Sequence, residues 1–397
     1  MPDNNGKYNV AIVMLGINDL TGGGGAERFF ADIYGISQAQ EDVNINLHFV
    51  CDENTHKSLA SVGRELPSSN LHISRGVDIF HLRFYWKLLR IIYRQKISVI
   101  HIPLIAPQYL PFLWFFTLLP KSWGPGISIT QVDCGYTHKY KKKLRELSLE
   151  ERKSHILHRI YFNSVRIDGI LTWYKAFERD IRPEQIRGRP LVRAINYYFV
   201  DTEKFRPAER KEKKVVWAGR FITTKRPFLF VECARMAIAR DPETCRDWRF
   251  YLYGKGPLFN AVKKCVHNYR LSDRIIVDTC SRMESVFSGS SVFVSTQEYE
   301  NFTSLSMLEA ISCGNAVIAY NLGQTDYFVR DSVNGYLLES LDPSVMADVL
   351  LKLMRDDNLC KRFSLESRKM VETHHTADNF AHELDNYFRD LQSQHER

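Results

Sequence analysis

Short apolar runs alternate with amphipathic stretches along almost the whole chain. In the first half, five runs have the length and composition of buried strands: 8–15, 45–51, 97–103, 126–133 and 169–174. Six similar runs follow in the second half: 213–220, 249–254, 274–278, 291–296, 316–320 and 335–339. Helical patterns separate most of them. This alternation predicts α/β domains, each built on a parallel sheet with helices on both faces.

The chain is longer than one ordinary domain, at 397 residues. A polar, charged stretch around 200–214 separates the two halves and is the best candidate for a linker. We therefore predict two doubly wound, Rossmann-like domains, residues 1–200 and 201–375, whose strand ends face each other across a cleft. The last helical stretch, 376–397, follows the final strand and is able to pack back on the N-terminal domain.

Composition describes an ordinary globular protein, with 44% apolar and 25% charged residues. The eight cysteines are scattered and form no C-x-x-C pair. This spacing argues for reduced thiols and against a zinc site or a disulfide framework. No secretory signal is visible in the opening MPDNNGKYNVAIVML. These features together predict a cytoplasmic protein.

Positive charge is confined to the first half of the sequence. Residues 1–200 hold 26 Lys and Arg against 18 Asp and Glu, whereas residues 201–397 hold 28 of each. The whole formal net charge of +8 therefore lies in the first half. That half is expected to face an anionic partner.

Glycine-rich and cationic segments follow the first predicted strand of each half. In GINDLTGGGGAERFF, Gly23, Gly24 and Gly25 let the backbone approach a ligand just before a helix begins. In WAGRFITTKRP, Gly219 precedes two cations, Arg220 and Lys225, a pair suited to a diphosphate. The alternatives are a flexible surface loop in the first case and solvated charges in the second.

Two further strand ends complete the pattern. YGKGPL places Gly254 in a strand-to-helix turn, for which a purely structural role is the simpler interpretation. QEYENFTSLSMLEAISCG starts a helix at which the amides of Ser304, Leu305 and Ser306 favour an anion. A carboxylate in this segment is able to accept two hydrogen bonds from a sugar diol, which nominates Glu309 for a ribose and Glu300 for a sugar. A capped helix with solvent-facing acids is the alternative. Hydrogen-bond donors for phosphate, together with carboxylates that accept hydrogen bonds from a diol, fit a nucleotide sugar.

Several segments resemble the retaining glycosyltransferases of family 4, which have the two-domain GT-B architecture. They are GGGGAERF, WAGRFITTK, YGKGPL, ENFTSLSMLEAISCGNAVIA and DYFVRDSVNGYLL. The resemblance implies that Arg220 and Lys225 bind the donor diphosphate and that Glu309 binds the ribose. It also implies that the first glutamate of the motif contacts the transferred sugar, and that amides around Ser304 to Ser306 contact phosphate.

The sequence departs from the family pattern in two places. The family has seven residues between its two glutamates, whereas eight separate Glu300 from Glu309, so that Asn301 occupies the expected position. The family usually has a His after an N-domain strand, where this chain has Val132 followed by Asp133. Asp133 is a candidate contact to the donor sugar or the acceptor hydroxyl. His138 is a candidate substitute, although a surface His is the commoner interpretation.

The resemblance implies a retaining transfer of a hexose-type sugar without a metal. The acceptor attacks the sugar on the same face from which the leaving group departs, and the leaving phosphate takes the proton of the acceptor hydroxyl. Arg220, Lys225 and helix amides would stabilise the charge that builds on the diphosphate. No cofactor is expected, because the nucleoside-diphosphate sugar is itself the co-substrate.

The first half is expected to hold the acceptor, a glycan or a lipid-linked precursor of a cell-surface polysaccharide. Segments 82–96 and 137–147 are rich in basic residues, and the apolar segment 107–120 is too short to span a bilayer. One interpretation is peripheral docking on the anionic inner face of the cell membrane. The other is N-domain core beneath solvated charges. Nucleic acid is not expected, because no nucleic-acid-binding motif is recognisable.

Two alternative functions keep the same fold. One is a sugar-nucleotide epimerase or phosphorylase-like enzyme, which would convert a sugar nucleotide with no acceptor present. The other is a catalytically silent subunit that binds a sugar nucleotide, an alternative motivated by Val132. Conversion without an acceptor, or binding without turnover, would distinguish them.

Overall fold

The structure is a computed structural model, and it describes most of the chain. The described residues are 7–15, 43–61, 70–74, 82–103, 105–131, 145, 147–195, 198–298 and 304–395. They divide into two compact units. The first unit combines the described parts of Met1–Asn196 and Phe380–Arg397, and the second is formed by Tyr197–Asn379.

The first unit is built on a parallel sheet of seven strands in the order β3-β2-β1-β4-β5-β6-β7. The strands are β1 Tyr8–Met14, β2 Ile45–Asp52, β3 Leu71–Ser74, β4 Ile97–Ile102, β5 Gly126–Gln131, β6 Gly169–Thr172 and β7 Leu191–Ala194. The helices between them are α1 Glu53–Ser61, α2 Leu82–Arg94, α3 Leu110–Leu118, α4 Leu149–Ser164 and α5 Lys175–Asp180. Strands β1, β2, β4 and β6 are buried along most of their length, as expected for parallel strands covered on both faces.

The second unit has a parallel six-stranded sheet in the order β10-β9-β8-β11-β12-β13. Its strands are β8 Lys214–Ala218, β9 Arg249–Tyr253, β10 Ile275–Asp278, β11 Val292–Val294, β12 Ala316–Tyr320 and β13 Gly335–Leu338. Its helices are α6 Pro227–Arg240, α7 Pro242–Cys245, α8 Phe259–Asn268, α9 Met283–Gly289, α10 Leu305–Ser312, α11 Pro343–Arg355 and α12 Asp357–His374. The predicted α/β class with parallel sheets is confirmed.

All eleven predicted strands are present, with ends that differ by a few residues. Two further strands, β3 and β7, were not predicted. Each has four residues, including polar or charged ones in LHIS and LVRA, and each lies at an edge of the first sheet. Edge strands are half-exposed, so their sequences are less apolar than those of central strands.

The last helix, α13 (Ala377–His395), packs from Phe380 onwards within the first unit. The Tyr387 hydroxyl lies 2.7 Å from Ser128 Oγ on β5. Ser128 in turn lies 2.9 Å from Nδ1 of His101, whose pKa is lowered to about 3 by complete burial. A neutral imidazole linked to hydroxyls is therefore part of the interface between sheet and helix.

Gly169 on β6 provides the space that α13 needs. A Cβ at this position would lie 2.4 Å from the Tyr387 hydroxyl and 2.9 Å from Leu391. We expect Gly169→Ala to lower the free energy of unfolding by about 1–3 kcal/mol, the usual cost of overpacking a core. Chemical denaturation would measure the change. Gly289→Ala is the matched control, because its added methyl would meet only the flexible side chain of Glu212 at 3.2 Å. Equal stability of the two variants would contradict this account of α13.

Candidate functional site

Two neighbouring strands of the second unit end at the same edge of the sheet. β8 and β11 are parallel and adjacent, with Val215 opposite Val292. The loop after β8, residues 219–226, and the loop after β11, residues 295–298, therefore leave the sheet side by side. The next described element after β11 is α10. Ligands bind at such carboxyl edges in open α/β sheets.

A small pocket lies between these loops and the start of α10. The space between them is open to solvent on one side. It is lined by Trp217, Ala218, Lys225, Phe293, Val294, Ser295, Thr296, Gln297 and Ser304. The pocket thus brings the predicted cation Lys225 to the helix start at Ser304, although the two are far apart in sequence.

The Thr296 hydroxyl joins the two loops. Trp217 Nε1 donates to Thr296 Oγ1 over 2.8 Å, and the hydroxyl lies 2.8 Å from the carbonyl oxygen of Lys225 and 3.0 Å from that of Arg226. The backbone N–H of Glu298 donates to the carbonyl of Thr224 at 3.0 Å. These hydrogen bonds fix the backbone at Lys225. The Lys225 side chain therefore extends from a defined position.

The cations of the β8 loop have different surroundings. Lys225 Nζ donates to Gln297 Oε1, and Arg226 forms an ion pair with Glu298 at 3.1 Å. Arg226 has left-handed backbone angles, φ 47° and ψ 53°, at the residue that precedes α6. Arg220 is exposed and does not line the pocket, and its guanidinium forms no hydrogen bond or ion pair with a side chain in the part of the chain that the structure describes. Convergence of Arg220 and Lys225 on one ligand stays a prediction.

Helix α10 begins beside the pocket, because its N-cap residue is among those that line it. Ser304 is its N-cap, with extended backbone angles and no capping bond from its side chain. Within the described residues, the N–H groups of Leu305 and Ser306 have no hydrogen-bond partner. Glu309 lies one turn further into the helix and is half-buried, outside the set that lines the pocket.

Two glycines hold the β8 loop against the loop after β9. The Gly219 N–H donates to the Tyr253 carbonyl at 3.0 Å, and the Phe221 N–H donates to the Lys255 carbonyl at 2.8 Å. Gly254 has φ +149°, and a Cβ there would lie 1.9 Å from the Gly219 carbonyl oxygen. Gly254 therefore allows two backbones to approach each other, which is the structural role considered for it from the sequence.

Among the described residues that line the pocket, Lys225 is charged and none is an Asp or Glu. An ammonium group and the N-terminus of a helix both favour an anion with more than one charged oxygen, such as a diphosphate. Over the described ranges, no three His, Cys, Asp or Glu side chains form a group that could hold a metal ion.

Several predicted site residues lie outside the described residues, and their roles stay predictions. They are Gly23, Gly24, Gly25, Asp133, Glu300 and Asn301, together with Val132 and His138. Conversely, the sequence did not single out Trp217, Thr296 or Gln297 as parts of a site. Their position at the ends of two predicted strands was the feature of the sequence that could have identified them.

A comparison with protein families decides the classification. Residues 200–370 match the family model described as glycosyl transferases group 1. The match places residues 200–370, the greater part of the second unit, among the group 1 glycosyl transferases. The group 1 match covers the second unit almost completely, including the pocket and helix α10. The resemblance drawn from the motifs is thereby confirmed.

Curated relatives match this chain over part of their length. The poly(ribitol-phosphate) alpha-N-acetylglucosaminyltransferase of Staphylococcus aureus (strain COL) is 27% identical over 229 residues, which cover 57% of this chain and 45% of the relative. The poly(glycerol-phosphate) alpha-glucosyltransferase of Bacillus subtilis (strain 168) is 27% identical over 164 residues, covering 40% of this chain and 23% of the relative. The chain thus spans less than half the length of these relatives.

Solved structures share the fold of almost the whole chain. A TarM variant from S. aureus, in complex with fondaparinux, alpha-GlcNAc-glycerol and UDP, has a TM-score of 0.67 and 15% sequence identity. The comparison covers 96% of this chain and 99% of that chain. The predicted GT-B architecture of two Rossmann-like domains is confirmed.

Proposed function

We propose that this protein is a retaining, metal-independent hexosyltransferase that uses a nucleoside-diphosphate sugar. The observation that carries the proposal is the pocket in which Lys225 meets the open N-terminus of α10. Both features favour the diphosphate of a donor. The group 1 family match supports the same assignment.

In the proposed reaction, the residues of the second unit act on the leaving group. The bond between the sugar and the diphosphate breaks, and negative charge grows on the phosphate oxygens. Lys225 and the N–H groups of Leu305 and Ser306 stabilise this charge, with Arg220 as a second cation from the same loop. The leaving phosphate takes the proton of the acceptor hydroxyl, which attacks from the same face of the sugar.

Carboxylates are proposed to hold the hydroxyl groups of the donor. Glu309 accepts hydrogen bonds from the ribose diol, and Glu300, or Asn301 beside it, contacts the transferred sugar. Asp133 is assigned to the donor sugar or to the acceptor hydroxyl. Gly23, Gly24, Gly25, Gly219 and Gly254 provide close backbone approach around the donor.

A uridine nucleotide is the first donor to test, because the S. aureus neighbour binds UDP. The names of the two curated relatives specify polyol-phosphate acceptors. We therefore propose that the acceptor is a hydroxyl of a cell-surface glycan or polyol-phosphate polymer, or of its lipid-linked precursor. The positive charge of residues 1–200 suits such anionic acceptors.

A thermal-shift screen against nucleoside diphosphates and nucleotide sugars tests the donor. A ligand at one hundred times its dissociation constant stabilises the folded state by about 2.7 kcal/mol, which is a clear shift in Tm. Product analysis with and without an acceptor then separates the functions. Conversion without an acceptor would replace the proposal with an epimerase, and binding without transfer or hydrolysis would replace it with a silent donor-binding subunit.

We expect Glu309→Gln to weaken binding of the selected nucleotide. A carboxylate accepts both hydroxyls of a ribose, whereas an amide accepts with one atom only, so the loss should be about 1.5–3 kcal/mol. Isothermal titration measures it as a rise in Kd on the order of ten- to a hundredfold. Glu209→Gln, an exposed glutamate on the linker, is the matched control. Unchanged affinity in Glu309→Gln would remove Glu309 from the ribose site.

A further inference from the structure

Helix α2 of the first unit has one face that is aromatic and basic and fully exposed to solvent. Trp86 and Tyr93 are 73% and 87% exposed. Arg90 and Arg94 are also exposed, and the spacing of these four positions places them on one side of the helix. The opposite side is buried and consists of Leu88, Ile91 and Ile92. The outer side is thus not required for the core of the unit.

Helices α3 and α4 continue this exposed apolar surface. On α3, Phe115 is exposed to 45% and Leu118 to 82%, and Trp123 in the following turn is exposed to 75%. On α4, Ile156 and Ile160 are four residues apart and both exposed. Exposed side chains of this size are uncommon in such numbers on a monomer unless the surface contacts something.

The three helices lie next to one another. The connections from β3 to β4, β4 to β5 and β5 to β6 all run in the same direction along the sheet. Because such crossovers are right-handed, α2, α3 and α4 cover the same face. Direct contacts agree: the Tyr85 and Phe112 rings stack at 6.0 Å, and Trp114 Nε1 donates to Ser164 Oγ over 2.8 Å. The outer helical face is defined by Trp86, Arg90, Tyr93, Arg94, Phe115, Leu118, Trp123, Ile156, Arg159 and Ile160.

The charge of this region has one sign. Residues 79–132 contain no Asp or Glu at all. The Lys and Arg residues in this stretch are Arg83, Lys87, Arg90, Arg94, Lys96 and Lys121. Arg90 and Arg94 form no ion pair with any described carboxylate. Their charges are therefore not neutralised by any carboxylate of the described residues.

Tryptophan is distributed in the same way. The chain has six Trp residues. Trp173, Trp217 and Trp248 are buried, whereas Trp86, Trp114 and Trp123, all on α2, α3 or the turn after α3, are exposed. Trp and Tyr favour the boundary between lipid headgroups and acyl chains, where the ring is buried and the N–H or O–H group stays hydrated.

We propose that the outer helical face docks on an anionic lipid surface. Arg90 and Arg94 contact lipid phosphates, while Trp86, Tyr93, Leu118 and Trp123 enter the headgroup layer. None of the described helices is long and apolar enough to cross a bilayer, so the contact is peripheral. The apolar residues favour lipid over a soluble anionic polymer, which would satisfy the charges but leave the aromatic rings in water.

Vesicle flotation with the full chain tests the proposal without any enzymatic assay. Vesicles of phosphatidylcholine alone are compared with vesicles that also contain phosphatidylglycerol, at low and high salt. We expect flotation with the anionic vesicles and its loss as salt rises. Brominated acyl chains in those vesicles should quench the fluorescence of the exposed Trp residues. Absence of flotation with anionic vesicles would overturn the proposal.

Two pairs of variants locate the contact. Arg90→Glu with Arg94→Glu should lower partitioning at least about tenfold, since each basic residue near an anionic surface contributes on the order of a fivefold factor. Lys263→Glu with Lys264→Glu, exposed on α8 of the second unit, is the control of equal charge. Trp86→Ala with Tyr93→Ala should also reduce flotation, whereas the exposed Leu365→Ala should not.

The aromatic variant, Trp86→Ala with Tyr93→Ala, and competition by soluble polyphosphate decide whether the anion belongs to a lipid or to a polymer. Soluble polyphosphate that abolishes flotation, together with wild-type flotation of Trp86→Ala with Tyr93→Ala, would assign the face to an anionic polymer and refute lipid docking. Equal losses in the α2 and α8 charge variants would likewise refute it, because net charge alone would then account for binding. Circular dichroism of each variant shows that the fold is retained.

Discussion

Replacement of Lys225 by Met is expected to lower kcat on the order of a hundred- to a thousandfold, the usual effect of removing one group that stabilises transition-state charge. The ammonium group lies in the pocket beside the N-terminus of α10. Charge on the donor diphosphate increases as the glycosyl bond breaks, so kcat should fall more than KM rises. Steady-state kinetics with a saturating acceptor measure both.

The controls separate charge from packing. Lys225→Arg keeps a cation in the pocket and should retain more activity than Lys225→Met. Lys263→Met, an exposed lysine on α8, changes the same side chain far from the pocket and should leave kcat unaltered. Arg220→Ala is expected to lower turnover in the same range if both cations serve the diphosphate. Turnover like wild type in both Lys225→Met and Arg220→Ala would remove the diphosphate assignment altogether.

Replacement of Gly254 by Ala is expected to destabilise the second unit by about 3 kcal/mol or more. Its φ of +149° belongs to a region that is essentially reserved for glycine, and the new Cβ would lie 1.9 Å from the Gly219 carbonyl oxygen. Either the strain is retained or the β8 loop moves, and Arg220 moves with it. Urea denaturation measures the stability of the variant, and nucleotide titration measures the affinity of its site for the nucleotide.

Gly219→Ala is the stability control for this prediction. An added methyl at Gly219 would meet only the Trp217 ring, at 3.5 Å, which is an ordinary van der Waals contact. Its unfolding midpoint should stay close to that of the wild type. If Gly254→Ala were as stable as Gly219→Ala, the tight approach of the two loops would not contribute to the fold.

The architecture was predictable from the sequence because short, largely apolar runs alternate with helical patterns along the chain. Strand β12, AVIAY, is found at the predicted residues 316–320, since a strand buried on both faces has no polar interruption. The edge strands β3 and β7 were missed because short sequences that mix apolar with polar or charged residues, LHIS and LVRA, resemble loops. Helix α10 was predicted with its C-terminal Gly314, which has φ +68° as expected for a helix terminator.

The candidate site was less predictable than the fold. Lys225 and the start of α10 could be named because a cation and a row of amides at strand ends have a recognisable chemistry. The contacts of Lys225 with Gln297 and of Arg226 with Glu298 depend on β8 lying beside β11, a neighbour relation that strand order in the sequence does not reveal. Trp217 and Thr296 are further examples, since their hydrogen bond joins residues 79 positions apart.

The packing of α13 within the first unit has a consequence for how the protein is made. The second unit is continuous in sequence, from Tyr197 to Asn379, whereas the first also needs residues from Phe380 onwards. At a synthesis rate of roughly 5–20 residues per second, the ribosome needs about ten to forty seconds to make the residues that separate the two parts. During that interval the nascent β5 and β6 strands expose Ser128 and Gly169 without their helix. The unit whose synthesis begins first is therefore completed last.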